Sequence, residues 1–445
     1  MSQNTLAPPA TGSMAKRAAD LLSALIRIDT TNTGEPATTK GEREAAQFVI
    51  GQLQDIGLRP QLFESAPKRA NVVVRVEGSD SSKPPLVVHQ HLDVVPAQGD
   101  WTHPPFGGDL VDGVVWGRGA VDMKNQVAMV LAVIEDFHRR GVKPARDLIL
   151  AFFADEENGG VYGSRWMVEH HPELFRGAQE AISEVGGFTA WFGDHRVYLV
   201  ETAEKAIAWM RLTVAGSPGH GSFVNDNNAV AKLVTALHRL EQHQFPPRLT
   251  GTMRDFITQL SQVTGEKVDL SDIDSIKDLL EKEGEVGTAA VAALGTHLNL
   301  TSLEAGNKAN VVPPSASATI DMRPLPDERD AAWKMVERLV GKDISIERLN
   351  DQRGMESPDH GPIFEAMASS LTRHDPGVPV LPFMVPAGTD NKALADLGIH
   401  GYGFTPLKMS SDFHFWKMFH GVDERVPVSA LAFGTEALTD FFTTY

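Results

Sequence analysis

The chain has 445 residues, long for a single hydrophobic core, and that length favours two or three domains. Its 41 Lys and Arg against 58 Asp and Glu give a formal net charge of −17, which argues against nucleic acid or an anionic membrane surface as a partner. Cysteine is absent, which excludes disulfides, thiol nucleophiles and thiolate metal sites, so any metal must be held by histidine and carboxylate.

The opening stretch "MSQNTLAPPATGSMAKRA" is polar and lacks the apolar core of a secretory signal, and no apolar run approaches the roughly 20 residues that span a bilayer. A cytoplasmic location is the expectation. Apolar residues at helical spacing predict amphipathic helices in "AKRAADLLSALIRI" (15–28) and "GEREAAQFVIGQLQDIG" (41–57), the second stopping at Gly57. Short β-branched runs follow in "NVVVRVEG" (71–78), "PLVVHQHLDVV" (85–95) and "DLILAFFA" (147–154), the last two separated by the helical "NQVAMVLAVIEDFHRRG" (125–141). Strands alternating with helices predict an α/β layer with a mostly parallel central sheet flanked by helices, and "AISEVGG" (181–187) adds one more strand end.

From about Ala206 the texture changes. "AIAWMRLTVAG" reads as an alternating strand and "NNAVAKLVTALHRLEQH" as a helix, followed by a charged helical region at 252–296. Two further strands, in "LNLTSLEAG" and "KANVVPPSASATIDMRP", and a helix in "AAWKMVERLVG" complete the pattern. The expected organisation is a catalytic domain at 1–205, an inserted smaller α+β domain at 206–325, and the remainder of the first domain at 326–445. No internal repeat or low-complexity tract is apparent.

Several of these segments carry side chains suited to chemistry. In a strand, residues two apart share a face, so "HQHLD" turns His89, His91 and Asp93 the same way; the plain alternative is a half-exposed strand with a solvated polar face. "GRGAVDMKNQ" (117–126) sets Asp122 just before a helix, where a solvated capping aspartate is the ordinary reading. The same stretch fails the dinucleotide fingerprint, because Asp122 stands where a third Gly or Ala is required. "LILAFFADEENGG" (148–160) runs a strand straight into Asp155, Glu156 and Glu157, acids that repel one another unless they face water or a cation. Glu184 also follows a strand and precedes paired glycines, and His420 lies in a loop-like stretch. His91, Asp122, Glu157, Glu184 and His420 make a set of nitrogen and oxygen donors suited to Zn²⁺, Co²⁺ or Mn²⁺. Two such ions could share one bridging carboxylate and a water.

The ordered series "HLDVVP", "GRGAVDMK", "DEENGG", "SEVGG", "AEK", "GSPGHGS", "NVVPPSASATIDMRPLP", "GTD" and "HGVDERV", from about Asp29 to Val426, resembles the dinuclear zinc hydrolases that include aminoacylase-1, carboxypeptidase G, succinyl-diaminopimelate desuccinylase and the peptidase T type enzymes. The resemblance implies two Zn²⁺ per subunit, one held by His91 and Glu184, the other by Glu157 and His420, with Asp122 bridging. It implies that Asp93 orients His91 and that Glu156 is the general base. His89 has no role in that pattern and is expected to be structural. The inserted domain is implied to be a lid that also forms a homodimer, its His220 reaching into the partner's site to stabilise the oxyanion. Asn310, Arg323 and Thr389 match positions that contact a small-molecule substrate, Arg323 gripping a free α-carboxylate.

Gln90, Asn125 and Ala206 replace residues that are commonly glycine in the pattern. The implied activity is hydrolysis, by a two-zinc-activated water, of the amide bond of a dipeptide, a C-terminal peptide or an N-acyl amino acid with a free α-carboxylate. A non-catalytic metal-binding or assembly protein on the same fold is the alternative. A serine hydrolase lacks support because no G-x-S-x-G motif is present.

Overall fold

A computed structural model describes residues 11–445 of the chain. The first ten residues of the expected polar leader lie outside the described residues. Among the described residues, no helix is long and apolar enough to cross a membrane.

The larger layer is a ten-stranded mixed sheet. Its centre is parallel: Leu148–Phe153 pairs with Leu86–His91, which pairs with Glu180–Ser183, which pairs with His400–Gly403. Antiparallel strands extend it on both sides, Gln61–Ala66 and Arg69–Val76 at one end and the long His195–Glu204 at the other. The central strands are buried throughout because both faces are covered, which is why "LILAFF" is apolar at every position rather than at alternate ones. Leu148, Leu150 and Phe152 enter the main core with the helices Lys124–Arg140 and Val428–Thr444. Ile149, Ala151 and Phe153 point the other way, onto Met167, Phe175, Leu394 and Ile399. Lys124–Arg140 ends at Gly141, whose φ of 64° is the left-handed conformation that closes a helix.

The smaller layer is a four-stranded antiparallel sheet in the order His297–Ala305, Ser315–Arg323, Ile207–Ala215, Ser345–Gln352. The helices Ala229–Glu241 and Arg329–Val340 cover one face, burying Leu233, Leu237, Trp333 and Val336 against Met210, Leu212 and Ile320. Strand Ser315–Arg323 alternates buried and part-exposed residues along its length, as a sheet with one covered face requires.

The expected boundaries of this layer, 206 and 325, do not coincide with its packing. Arg329–Gln352 contributes a helix and an edge strand to the small sheet, so the layer continues past 325. The helices Gly251–Thr264, Ile273–Leu280 and Gly284–Ala292 lie within the expected insert, yet they bury Phe256, Ile257, Leu260, Leu279 and Leu280 in the core of the large sheet. The edge strand "SIERLNDQ" has almost no buried residues and so carries no periodic signal that local reading could use.

Leu150→Ala tests the central position of Leu148–Phe153. Leu150 is fully buried between Val74 and Val88 on its neighbouring strands. The substitution should lower unfolding free energy by about 2–5 kcal/mol in urea denaturation, and a change below about 1 kcal/mol would contradict the packing.

Candidate metal centre

The parallel strands deliver their loops to one end of the sheet, where ligand sites of open α/β folds collect. The strand Leu86–His91 ends at His91, so Asp93 approaches that imidazole from the following loop, not along a shared strand face as the alternation suggested. Both side chains are buried. His91 Nδ1 lies 2.9 Å from the Asp93 carbonyl oxygen. A carbonyl can only accept, so Nδ1 carries the hydrogen and Nε2 faces the neighbouring carboxylates. His89 points away from the cluster, with Nε2 2.8 Å from Asn391 Oδ1.

Asp122 occupies the middle of the cluster. Its Oδ1 is 3.1 Å from His91 Nε2 and its Oδ2 is 3.3 Å from His420 Nε2. Glu184 Oε2 stands 3.6 Å from His91 Nε2, and Glu157 Oε2 stands 3.1 Å from His420 Nε2. Two donor groupings follow, His91 with Asp122 and Glu157, and His91 with Glu156 and Glu184, each with ligand atoms within 4.8 Å of one another. All five sequence-selected donors and Glu156 therefore converge.

The acidic run after Leu148–Phe153 separates by direction. Asp155 adopts φ 68°, a left-handed conformation that aspartate tolerates better than most residues. Its side chain turns inward to Arg69 Nη2 (2.8 Å), Asn32 Nδ2 (3.0 Å) and the Tyr162 amide (3.0 Å). This turn directs Glu156 and Glu157 into the site. Asp93 then accepts from the Glu156 amide at 3.1 Å and the Glu157 amide at 3.2 Å, and Oδ2 also accepts from Asn32 at 2.9 Å. Asp93 thus fixes the loop of the acids as well as facing His91. After Glu184, Gly186 packs so closely that a Cβ there would lie 1.9 Å from the Gly403 carbonyl oxygen, so no other residue fits.

A cavity of about 190 Å³ opens beside these donors, lined by Glu156, Glu157, His420, Thr389, Arg323 and Trp209. Arg323 lies over the Trp209 ring and is already paired with Asp321 at 2.7 and 3.0 Å. The Thr389 hydroxyl donates to Glu204 Oε1 at 2.6 Å, and its amide donates to Oε2 at 2.8 Å, so Glu204 holds this loop from beneath. His220 and Asn310 do not line the cavity. They are neighbours at an exposed antiparallel pair, Gly219–His220 against Val311–Val312, where the Gly221 amide donates to the Asn310 carbonyl at 2.9 Å and His220 Nδ1 sits 2.8 Å from Ser222 Oγ.

The family model for "Peptidase family M20/M25/M40" matches residues 87–444. This chain belongs to that family. It is similar to the N-fatty-acyl-amino acid synthase/hydrolase PM20D1 of Xenopus tropicalis, at 29% identity over 96% of this chain and 85% of the relative. It is also similar to aminoacylase-1 of Sus scrofa, at 26% identity over 90% and 89%. In fold it is similar to the M20 metallo-carboxypeptidase Sso-CP2 from Sulfolobus solfataricus, with a TM-score of 0.73, 16% identity, and coverage of 96% and 98%. The M20 chain is accordingly a metal-dependent peptidase or amidohydrolase.

Electrostatics test whether the donors of this M20 enzyme fit cations. Burial raises Glu157 and Glu184 to about 7, and the Asp122 carboxylate adds to both. Burial and the Glu184 carboxylate push Glu156 well above the usual carboxylate range. Hydrogen bonds to Asp122 and Glu157 raise His420 to about 10. Burial opposes a charged His91, yet Glu184, Asp122 and Asp93 outweigh it and hold the imidazolium far above its ordinary value. Burial likewise opposes ionised Asp122, and His420 and His91 outweigh it. Glu157 Oε1 is also buried with no hydrogen-bond partner. An excess of carboxylates around two imidazoles fits divalent metal ions of the harder, His-and-oxygen type.

Sequence reading missed Asn32 and Arg69, which support Asp93 and Asp155 from distant strands and loops. Asp390, the last residue of "GTD", was given no role either; it is buried beside the cavity and bonded to Ser164. Asn32 and Arg69 sit in polar segments with no spacing that marks them.

Two outcomes follow. Asp93→Asn would present an amide NH₂ to one of the Glu156 and Glu157 amides, so hydrogen exchange in a 155–160 peptide should rise by about tenfold; unchanged exchange would contradict the clamp. Cation loading at pH 7 should release about two to three protons per chain, because without metal His91 and His420 titrate above that pH and Glu157 and Glu184 near it. Calorimetry in buffers of different ionisation enthalpy reads this release, and no buffer dependence would refute it.

Proposed function

We propose that this M20 enzyme hydrolyses the amide bond of an N-acyl amino acid or short peptide bearing a free α-carboxylate, using two divalent cations, Zn²⁺ in the first instance, and Glu156 as general base. The observation that carries this reading is Asp122, whose two carboxylate oxygens face different imidazoles while Glu156 stands beside the same cluster. In this reading His91 and Glu184 hold one ion, Glu157 and His420 hold the other, and Asp122 serves both. Bound there, the cations would polarise the scissile carbonyl and lower the pKa of a water near it.

The protein's own groups account for the proton traffic. Glu156 is held by its amide to Asp93 and has a raised proton affinity, so its carboxylate can take the proton of the attacking water and return it to the departing nitrogen. Glu157, a neighbour in sequence, is turned to His420 and serves as a ligand instead. Arg323 at the cavity wall suits a carboxylate, its forked guanidinium exchanging or sharing Asp321 for the substrate. Thr389 forms part of the same wall. His220 and Asn310 lie outside their own chain's cavity, which is consistent with their serving the site of a second copy in a homodimer formed through the lid.

The relatives' names include both an N-fatty-acyl-amino acid hydrolase and an aminoacylase, and the shared chemistry is an acyl group on an amino acid nitrogen. A panel of N-acetyl and N-fatty-acyl amino acids beside dipeptides, assayed on metal-reconstituted enzyme, tests the substrate class. Glu156→Gln should keep its metal content while kcat falls by about 10²–10⁴-fold. An active variant would sink the assignment of the base, and a wild-type enzyme inert on every member of the panel would sink the substrate class.

A further inference from the structure

Four residues beyond His420, Glu424 is fully buried and all of its acceptor capacity is turned to one turn of chain. Oε1 accepts from the amides of Val121 (2.7 Å) and Asp122 (3.0 Å). Oε2 accepts from Arg118 Nη1 (2.7 Å) and the Gly119 amide (3.0 Å). The Glu424 carbonyl accepts from the Gly117 amide at 2.8 Å, and Arg118 Nη2 donates to the His420 carbonyl at 3.4 Å. Arg118 is itself buried, with its guanidinium over Trp101.

These bonds span more than 300 positions of the chain and join two loops, one presenting Asp122 and the other His420. The His420 side chain meets only the carboxylates of Asp122 and Glu157 and is otherwise 59% exposed. Its backbone, at φ 57°, sits in the left-handed region, uncommon outside glycine although histidine tolerates it better than most residues. The loop must therefore be fixed from its own main chain and from the residues that follow.

We propose that Glu424, with Arg118, is a positioning residue that sets the separation of His420 from Asp122 and so the affinity of the site for its second divalent cation. The inference rests on the metal reading given above and concerns residues that touch neither cation nor substrate. Glutamate suits the task because its two oxygens can accept all four donors at once. Glutamine keeps the shape but offers one oxygen and an NH₂ group, so at least one donor of the turn would face another donor.

The test is Zn²⁺ titration of the metal-stripped full chain by calorimetry, with elemental analysis, for wild type, Glu424→Gln, His420→Ala and the double variant. Far-UV circular dichroism and melting curves establish folding. The wild type should take two ions, and Glu424→Gln should weaken the second by about tenfold or more. His420→Ala should lose the same ion, and adding Glu424→Gln to it should change the first ion's affinity no further. Equal affinities in wild type and folded Glu424→Gln would overturn the proposal. So would an equal weakening of the first ion by Glu424→Gln in the presence and absence of His420, since a general weakening of the fold would then explain the effect. Should Glu424→Gln fail to fold, Arg118→Lys, which keeps the charge but loses the fork to the His420 carbonyl, is read in the same way. A wild-type chain that takes up no cation overturns the metal reading and the clamp with it, whereas two ions with insensitive variants overturn the clamp alone.

Discussion

Four carboxylates, Asp122, Glu156, Glu157 and Glu184, crowd around two imidazoles at the end of a buried parallel sheet, and that concentration of negative charge governs the rest of the structure. Buried carboxylates stay ionised only beside positive charge or hydrogen-bond donors. The site supplies too few donors of its own, as the unpartnered Glu157 oxygen and the elevated proton affinities of Glu156, Glu157 and Glu184 record. A cation requirement is thus built into the fold before any substrate arrives.

Around this cluster the chain arranges a ring of hydrogen-bonded polar groups. On one side Arg69 bridges Glu42 and Asp155, and Asn32 links Asp155 to Asp93, which in turn receives the amides of Glu156 and Glu157. On the other side Glu424 and Arg118 fasten the turn of Asp122 to the loop of His420. Such outer partners hold the donors within the narrow geometry that catalysis demands. They also explain why the ion pairs Arg69–Asp155 and Arg118–Glu424 can be buried at all, since every one of these charges has several partners.

The smaller sheet closes the cavity from above with Trp209 and Arg323, while Thr389 comes from the large layer on a loop anchored by Glu204. His91, Glu156, Glu157 and Glu184 follow strands of the large sheet, while Asp122 and His420 flank the separate antiparallel pair Val114–Trp116 and Arg425–Pro427. The edge strand Ser345–Gln352 of the smaller sheet touches the acid loop through the Gln352 side-chain amide and the Gly159 carbonyl.

Much of the site was legible locally. An apolar strand that runs into "DEENGG", or into "HLD", announces a carboxylate or histidine at a strand end, because period and burial are properties of a few consecutive residues. His91, Asp122, Glu156, Glu157, Glu184 and His420 could all be named on those terms together with the family pattern. The extent of the smaller layer could not, because an exposed edge strand and three helices that choose the other core carry no local mark of the surface they pack against. The separate fates of Asp155, Glu156 and Glu157 were equally hidden, being set by a left-handed turn and by Arg69 on another strand. Local pattern sets which residue types are available and where strands end. Which charges meet is set by long-range packing, because contacts such as that between Asp122 and His420 depend on how segments hundreds of positions apart are brought side by side.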